Sequence, residues 1–90
     1  MNTNVHNIIH NELINNGWKK TTTTERLYKY KQYNSNAFDE FIIEYTSNDE
    51  VVITVPIPFR DSSMYYRNIF PAKNVTVIHE YIKMHLSNNL

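Results

Sequence analysis

The chain has no cysteine, a single glycine and only three prolines in 90 residues. Without cysteine there is no disulfide framework and no thiolate metal site, and residue usage gives no sign of an oxidising compartment. One glycine cannot supply the close backbone approach on which P-loop and Rossmann phosphate cradles depend, which argues against nucleotide hydrolysis or dinucleotide binding of those kinds. An excess of one charge is also missing: nine basic and nine acidic residues cancel. No global field therefore draws the chain onto nucleic acid or an anionic membrane. No run approaches the roughly eighteen apolar residues of a membrane span, and the opening MNTNVHNIIH lacks the basic flank and continuous apolar run of a signal peptide. These absences predict a soluble, cytoplasmic protein without a membrane partner. Residues 1–90 form one domain on this reading, because a chain of this size buries only about 60–65% of its unfolded surface and a second core would need roughly another hundred residues.

What is present is β-branched and aromatic. The stretch FDEFIIEYTSNDEVVITVPIPF, Phe38 to Phe59, holds two strand-forming runs around Ser47-Asn48-Asp49 and reads as a hairpin. A three-residue loop sets Tyr45 opposite Val51, Ile43 opposite Ile53 and Phe41 opposite Val55, whereas a two-residue loop breaks the pattern. Upstream, tyrosines alternate with lysines in RLYKYKQY, residues 26–33, the period of a half-buried strand. If Tyr33 meets Phe38 across a four-residue loop, Tyr30 faces Phe41, Tyr28 faces Ile43, Lys31 faces Glu40 and Leu27 faces Glu44. Residues 19–25 are polar and threonine-rich, extended at most. MYYRNIF, residues 64–70, makes a fourth strand.

Two helices close the ends. Val5, Ile8, Ile9 and Leu13 form one apolar stripe over 3–17, stopped by Gly17 at the left-handed C′ position, with Trp18 folding back onto the core. Asn74 caps a second helix over 74–87, with Val75, Ile78, Ile82 and Leu86 buried. The expected fold class is α+β: helix, four-stranded antiparallel meander over 25–70, helix, with both helices on one sheet face.

Chemistry-bearing patterns are few. His6 and His10 stand four apart, a spacing at which two imidazoles can share a metal, but Asn7 replaces the glutamate of HExxH and no third ligand is evident. The pair reads as a solvated helix face, and no metal or cofactor is implied. Ser62 and Ser63 lie in a turn without an oriented base, and no G-x-S-x-G occurs, so no catalytic residue is assigned and no small-molecule substrate is implied. Five of the nine acids fall between Asp39 and Glu50 and five of the nine bases between Lys19 and Lys31. That places opposite charges on neighbouring strands, a register device more than a cation site.

The face of the sheet turned away from the helices carries the functional expectation. Tyr33, Ile42, Val52 and either Tyr65 or Tyr66 are left there among Lys29, Lys31 and other charges. An apolar patch of that kind marks a partner surface, and a homodimer through this face or an edge strand is the simplest partner. The alternative is nucleic-acid binding through Lys19, Lys20, Lys29, Lys31 and Tyr33. Trp18, the Tyr-Lys alternation, the hairpin ending in VPI, the aromatic MYYRNIF and the closing IHEYIKMHL together resemble uncharacterised small proteins of large AT-rich DNA viruses, in keeping with thirteen asparagines. The element order is also similar to that of RWD-type interaction domains, without their proline-tyrosine signature after the sheet. The resemblance carries no catalytic motif and implies a non-enzymatic, viral-type interaction or structural protein, placed in a host cytoplasm or a virion.

Overall fold

The computed structural model describes residues 3–32, 40–56 and 65–87. Its elements are α1 (Thr3–Asn15), β1 (Trp18–Thr23), β2 (Leu27–Gln32), β3 (Glu40–Tyr45), β4 (Glu50–Pro56), β5 (Tyr65–Pro71) and α2 (Val75–Ser87). The strands form one antiparallel sheet in the order β1-β2-β3-β4-β5. The expectation of four strands is thereby corrected to five. The additional strand, β1, is the polar lead-in WKKTTT, whose residues after Trp18 are all exposed. A strand held by backbone bonds alone shows no hydrophobic alternation, the signal on which strand recognition rests.

Gly17 makes β1 reachable. Its φ of +87° is the left-handed C′ conformation that ends a helix, and its N–H donates to the Ile14 carbonyl at 3.1 Å as that ending requires. Trp18 then enters the core, its ring edge-on to Phe41 with centroids 4.6 Å apart. The β1 pairing to β2 shifts between Lys20 and Thr22, a bulge at Thr21. Thr24 closes the β1–β2 turn, donating its N–H to the Leu27 carbonyl at 2.9 Å and accepting the Leu27 N–H on its hydroxyl at 3.0 Å.

The two central registers follow the sequence pattern. Tyr28 pairs with Ile43, Tyr30 with Phe41, Lys31 with Glu40 and Leu27 with Glu44, while Ile43 pairs with Ile53 and Tyr45 with Val51. Ser47, Asn48 and Asp49 form the loop, with Asp49 at φ 60°. The Thr46 hydroxyl gathers the loop by accepting the N–H groups of Asn48 and Glu50 at 3.2 and 3.3 Å. Asp49 also accepts the Ala72 N–H at 2.9 Å, which ties the end of β5 to this hairpin.

One core joins both helices to one sheet face. Val5, Ile9 and Leu13 of α1 and Ile78, Ile82 and Leu86 of α2 cluster with Trp18, Tyr28, Tyr30, Phe41, Ile43, Tyr45, Val51, Ile53 and Val55. Each fully buried aliphatic side chain of this set contributes about 1.5–3 kcal/mol. A contact between His79 of α2 and Glu12 of α1 at 3.3 Å marks where the helices meet. Asn74 accepts the first intrahelical bond of α2, from Ile78 at 3.0 Å, as an N-cap residue does.

Candidate functional site

Pairing fixes which residues share the face turned away from the helices: Leu27, Lys29 and Lys31 of β2, Glu40, Ile42 and Glu44 of β3, Val52 and Thr54 of β4, and Tyr65, Arg67 and Ile69 of β5. Among the residues expected there, Lys29, Lys31, Ile42, Val52 and Tyr65 are found on it. Tyr33 lies outside the described residues. Tyr66 instead pairs with Val55, which puts it on the helix side, where its ring stands 5.6 Å from that of His85.

The apolar patch is not where alternation alone places it. Val52 is only 5% exposed, because a short side chain between Glu44 and Ile69 as cross-strand neighbours is covered by their longer stems. Ile42 is half-buried. Exposure concentrates instead at the β5 edge, with Ile69 at 56% and Tyr66 at 48%, and on α2, with Val77 at 53% and Met84 at 52%. Tyr66 lies on the same side of the sheet as α2, whereas Ile69 lies on the opposite face of β5. Tyr81 of α2 packs against Phe70 of β5 with ring centroids 5.1 Å apart and accepts a bond from the Asn68 amide at 2.8 Å. Val77 and Met84 stand four residues before and three after Tyr81, on the same side of the helix. Together with Tyr65 they make five of the six large exposed hydrophobic residues among the described residues.

Among the described residues no ion pair joins charges on the open face; the one ion pair is His79 with Glu12. Lys31 and Glu40 are register partners without closing a bridge, and Lys19 sits opposite Lys31. Lys20 falls on the other side, opposite Tyr30, with its ammonium 5.8 Å from the Tyr28 ring.

The second assembly is polar and lies under α1. His6 and His10 do not form a solvated face; both turn toward the sheet. His6 Nδ1 shares a hydrogen bond with the Tyr45 hydroxyl at 3.0 Å, and His10 Nδ1 one with the Tyr30 hydroxyl at 2.9 Å. Their rings are 5.9 Å apart and tilted by 27°, and His6 also lies 4.4 Å from the Tyr28 ring. Burial, then His10, then Lys20 lower the His6 pKa, while burial and Lys20 lower that of His10. Burial pushes the Tyr30 hydroxyl up to about 12, with Tyr28 adding to the shift, and raises Tyr45 as well. The sequence carried a signal for this cluster: tyrosines on a buried strand face bring hydroxyl tips that need partners, and the helix above supplies them every fourth residue.

A groove of about 200 Å³ opens at the sheet end beside Arg26, Tyr45, Thr46, Ser47 and Asp49. One cation and one anion line it, which gives it no bias toward a charged ligand. Among the described residues no helix is long and apolar enough to cross a membrane. A scan against protein-family models, a search of curated proteins and a search of solved structures each find no match.

Proposed function

We propose that this protein is a non-enzymatic interaction module that pairs with a second copy of itself along the β5 edge and the adjoining flank of α2. The concentration of exposed apolar side chains along this one edge, Tyr65 and Ile69 on the open face of β5 and Tyr66, Val77 and Met84 on the helix side, carries the reading. A patch of this kind on so small a domain marks a partner surface. The strand Tyr65–Pro71 holds one charge, Arg67, so it offers nothing to a strongly charged partner. It is suited to an isologous contact, in which a two-fold axis near Asn68 brings Tyr66 of one copy beside Phe70 of the other and continues the sheet across the axis. The resemblance to small proteins of large DNA viruses fits a module of this type, acting in a host cytoplasm or within a virion.

Sedimentation or light scattering across a concentration series tests the pairing. Wild type is expected to move from monomer to dimer with rising concentration and Ile69→Lys to remain monomeric, with Ile42→Lys, at the middle of the open face, dimerising as wild type does. A wild type that stays monomeric up to about 1 mM, where pairing would be worth only about 4 kcal/mol, overturns the reading.

A second reading rests on Lys19, Lys29 and Lys31, which share the open face without ion pairs among the described residues. Single-stranded nucleic acid bound there would dissociate steeply with salt and weaken in Lys29→Glu. Absence of binding at low salt removes this reading.

A further inference from the structure

The imidazoles of His6 and His10 are placed by α1 alone, since residues four apart in a helix stand one turn above each other on the same side. What the sheet adds is orientation. Each ring is held at Nδ1 by a different tyrosine hydroxyl, Tyr45 for His6 and Tyr30 for His10. The two rings therefore point the same pole at the sheet, and their nearly parallel planes, 27° apart with centroids at 5.9 Å, direct the opposite pole the same way. That opposite pole is Nε2 on both. Metal-ligating histidines are arranged in this manner, with the nitrogen that does not touch the ion fixed by a polar partner that sets tautomer and ring angle.

We infer that His6 and His10 form a two-imidazole site for a divalent first-row transition ion, zinc, nickel or copper, ligated through both Nε2 atoms while the tyrosine hydroxyls accept hydrogen bonds from Nδ1–H. Imidazole nitrogen suits these ions and not the hard, oxygen-seeking magnesium or calcium. An ion about 2.0–2.1 Å from each nitrogen requires the two Nε2 poles to swing toward each other from the nearly parallel setting the rings hold at 5.9 Å. Among the described residues no group of three or more histidine, cysteine, aspartate or glutamate side chains comes together, so these residues supply two ligands and water completes the shell. The two rings are held mainly by burial in the neutral form that ligates. The charged group facing the site is Lys20, which also lowers both pKa values. It repels a dication, so it sets the affinity below what the two imidazoles alone would give.

Titrating metal-free protein with zinc chloride, read by calorimetry and by imidazole 15N spectra, tests the site. One ion per chain is expected, with the Nε2 resonances of His6 and His10 moving and those of His79 and His85 unmoved. His6→Asn and His10→Asn each abolish saturation. Tyr30→Phe and Tyr45→Phe weaken binding about 10–100-fold, the usual effect of removing an outer partner. Lys20→Gln tightens it; this variant leaves both His–Tyr bonds in place and so tests the site even if a histidine variant folds poorly. The inference is overturned by saturable binding that survives in the double variant His6→Asn/His10→Asn, by no saturation up to about 1 mM zinc, by weaker binding in Lys20→Gln, or by equal shifts with magnesium.

Discussion

The sheet ends in two edge strands, β1 and β5, that stand at equivalent places and are closed in different ways. β1 begins with Trp18, 4% exposed and edge-on to Phe41, and continues with Lys19, Lys20 and three threonines around a bulge. Lysines and bulges are how natural sheets keep an edge from pairing with another chain. β5 runs in unbroken register with β4 from Tyr65 to Pro71, has one charged residue, and shows large apolar side chains to solvent. The difference separates two duties of an edge. One is anchored inward and shielded outward; the other contributes less to the core and leaves its apolar side chains exposed.

The widest separation between the two edges is expected from truncation. Trp18→Ala should lose about 3–5 kcal/mol, a large part of the roughly 5–15 kcal/mol available to a domain. Ile69→Ala should change monomer stability by no more than about 0.5 kcal/mol, as exposed positions do. Urea unfolding at low protein concentration measures both. In Trp18→Ala the amides of Lys19 to Thr23 should exchange first. If both substitutions cost the same, the two edges are not anchored differently.

Two left-handed residues that hold the edges in place sharpen the contrast on a smaller scale. Gly17 precedes β1 at φ +87°, and a Cβ built there meets nothing within 4 Å. The cost of Gly17→Ala is therefore conformational, about 1–2 kcal/mol for a left-handed alanine. Asp49, at φ 60°, holds the end of β5 through its carbonyl, and aspartate already bears part of that penalty, so Asp49→Gly should gain less than about 1 kcal/mol. Chemical denaturation of the two variants decides the order; an equal and opposite response would mean that the Asp49 conformation is as strained as alanine at 17.

The parts of the fold legible in the sequence are those where side-chain alternation and turn chemistry agree. Tyr28, Tyr30, Phe41, Ile43, Tyr45, Val51 and Ile53 declare one face by their order alone, and the Ser-Asn-Asp loop fixes how β3 meets β4. β1 was not legible because Lys19 to Thr23 bury nothing. Its strand state comes from backbone pairing to β2 and from Gly17 and Trp18, which set its direction. Val52 was assigned to the correct face, yet alternation says which way a side chain points and not how tall its neighbours are. Exposure of Val77 and Met84 depends on how α2 is rolled, which the contact of Tyr81 with Phe70 sets. The inward turn of His6 and His10 is illegible for a related reason: the stripe of Val5, Ile9 and Leu13 fixes the middle of the buried side of α1, whereas its width depends on what the sheet raises against the helix, here three tyrosines.

Protonation offers the finest distinction between the two sides of the molecule. His6 and His10 lie on the β1 side, near Lys20, whereas His85 lies on the β5 side between Tyr66 and Tyr81. All three are lowered from the ordinary imidazole value of 6.5, His6 by burial, then His10, then Lys20, His10 by burial and then Lys20, His85 by burial alone. A lowered pKa in the folded state means that the unfolded chain binds protons first as pH falls. Stability from these groups is thus complete above about pH 6.5 and is lost as pH drops through the folded-state values. Lys20→Gln removes a positive charge from one side only. Its effect is small, because Lys20 is exposed and screened by solvent and salt, but its sign and place are fixed. The pKa values of His6 and His10 rise toward 6.5 and that of His85 stays, as NMR titration of the imidazole carbons can follow. Added salt should move His6 and His10 in the same direction in wild type and less in the variant, where only the repulsion between the two imidazoles is left to screen. A shift of His85 equal to theirs would show that the substitution loosens the whole core, and the electrostatic difference between the two sides would then have no basis.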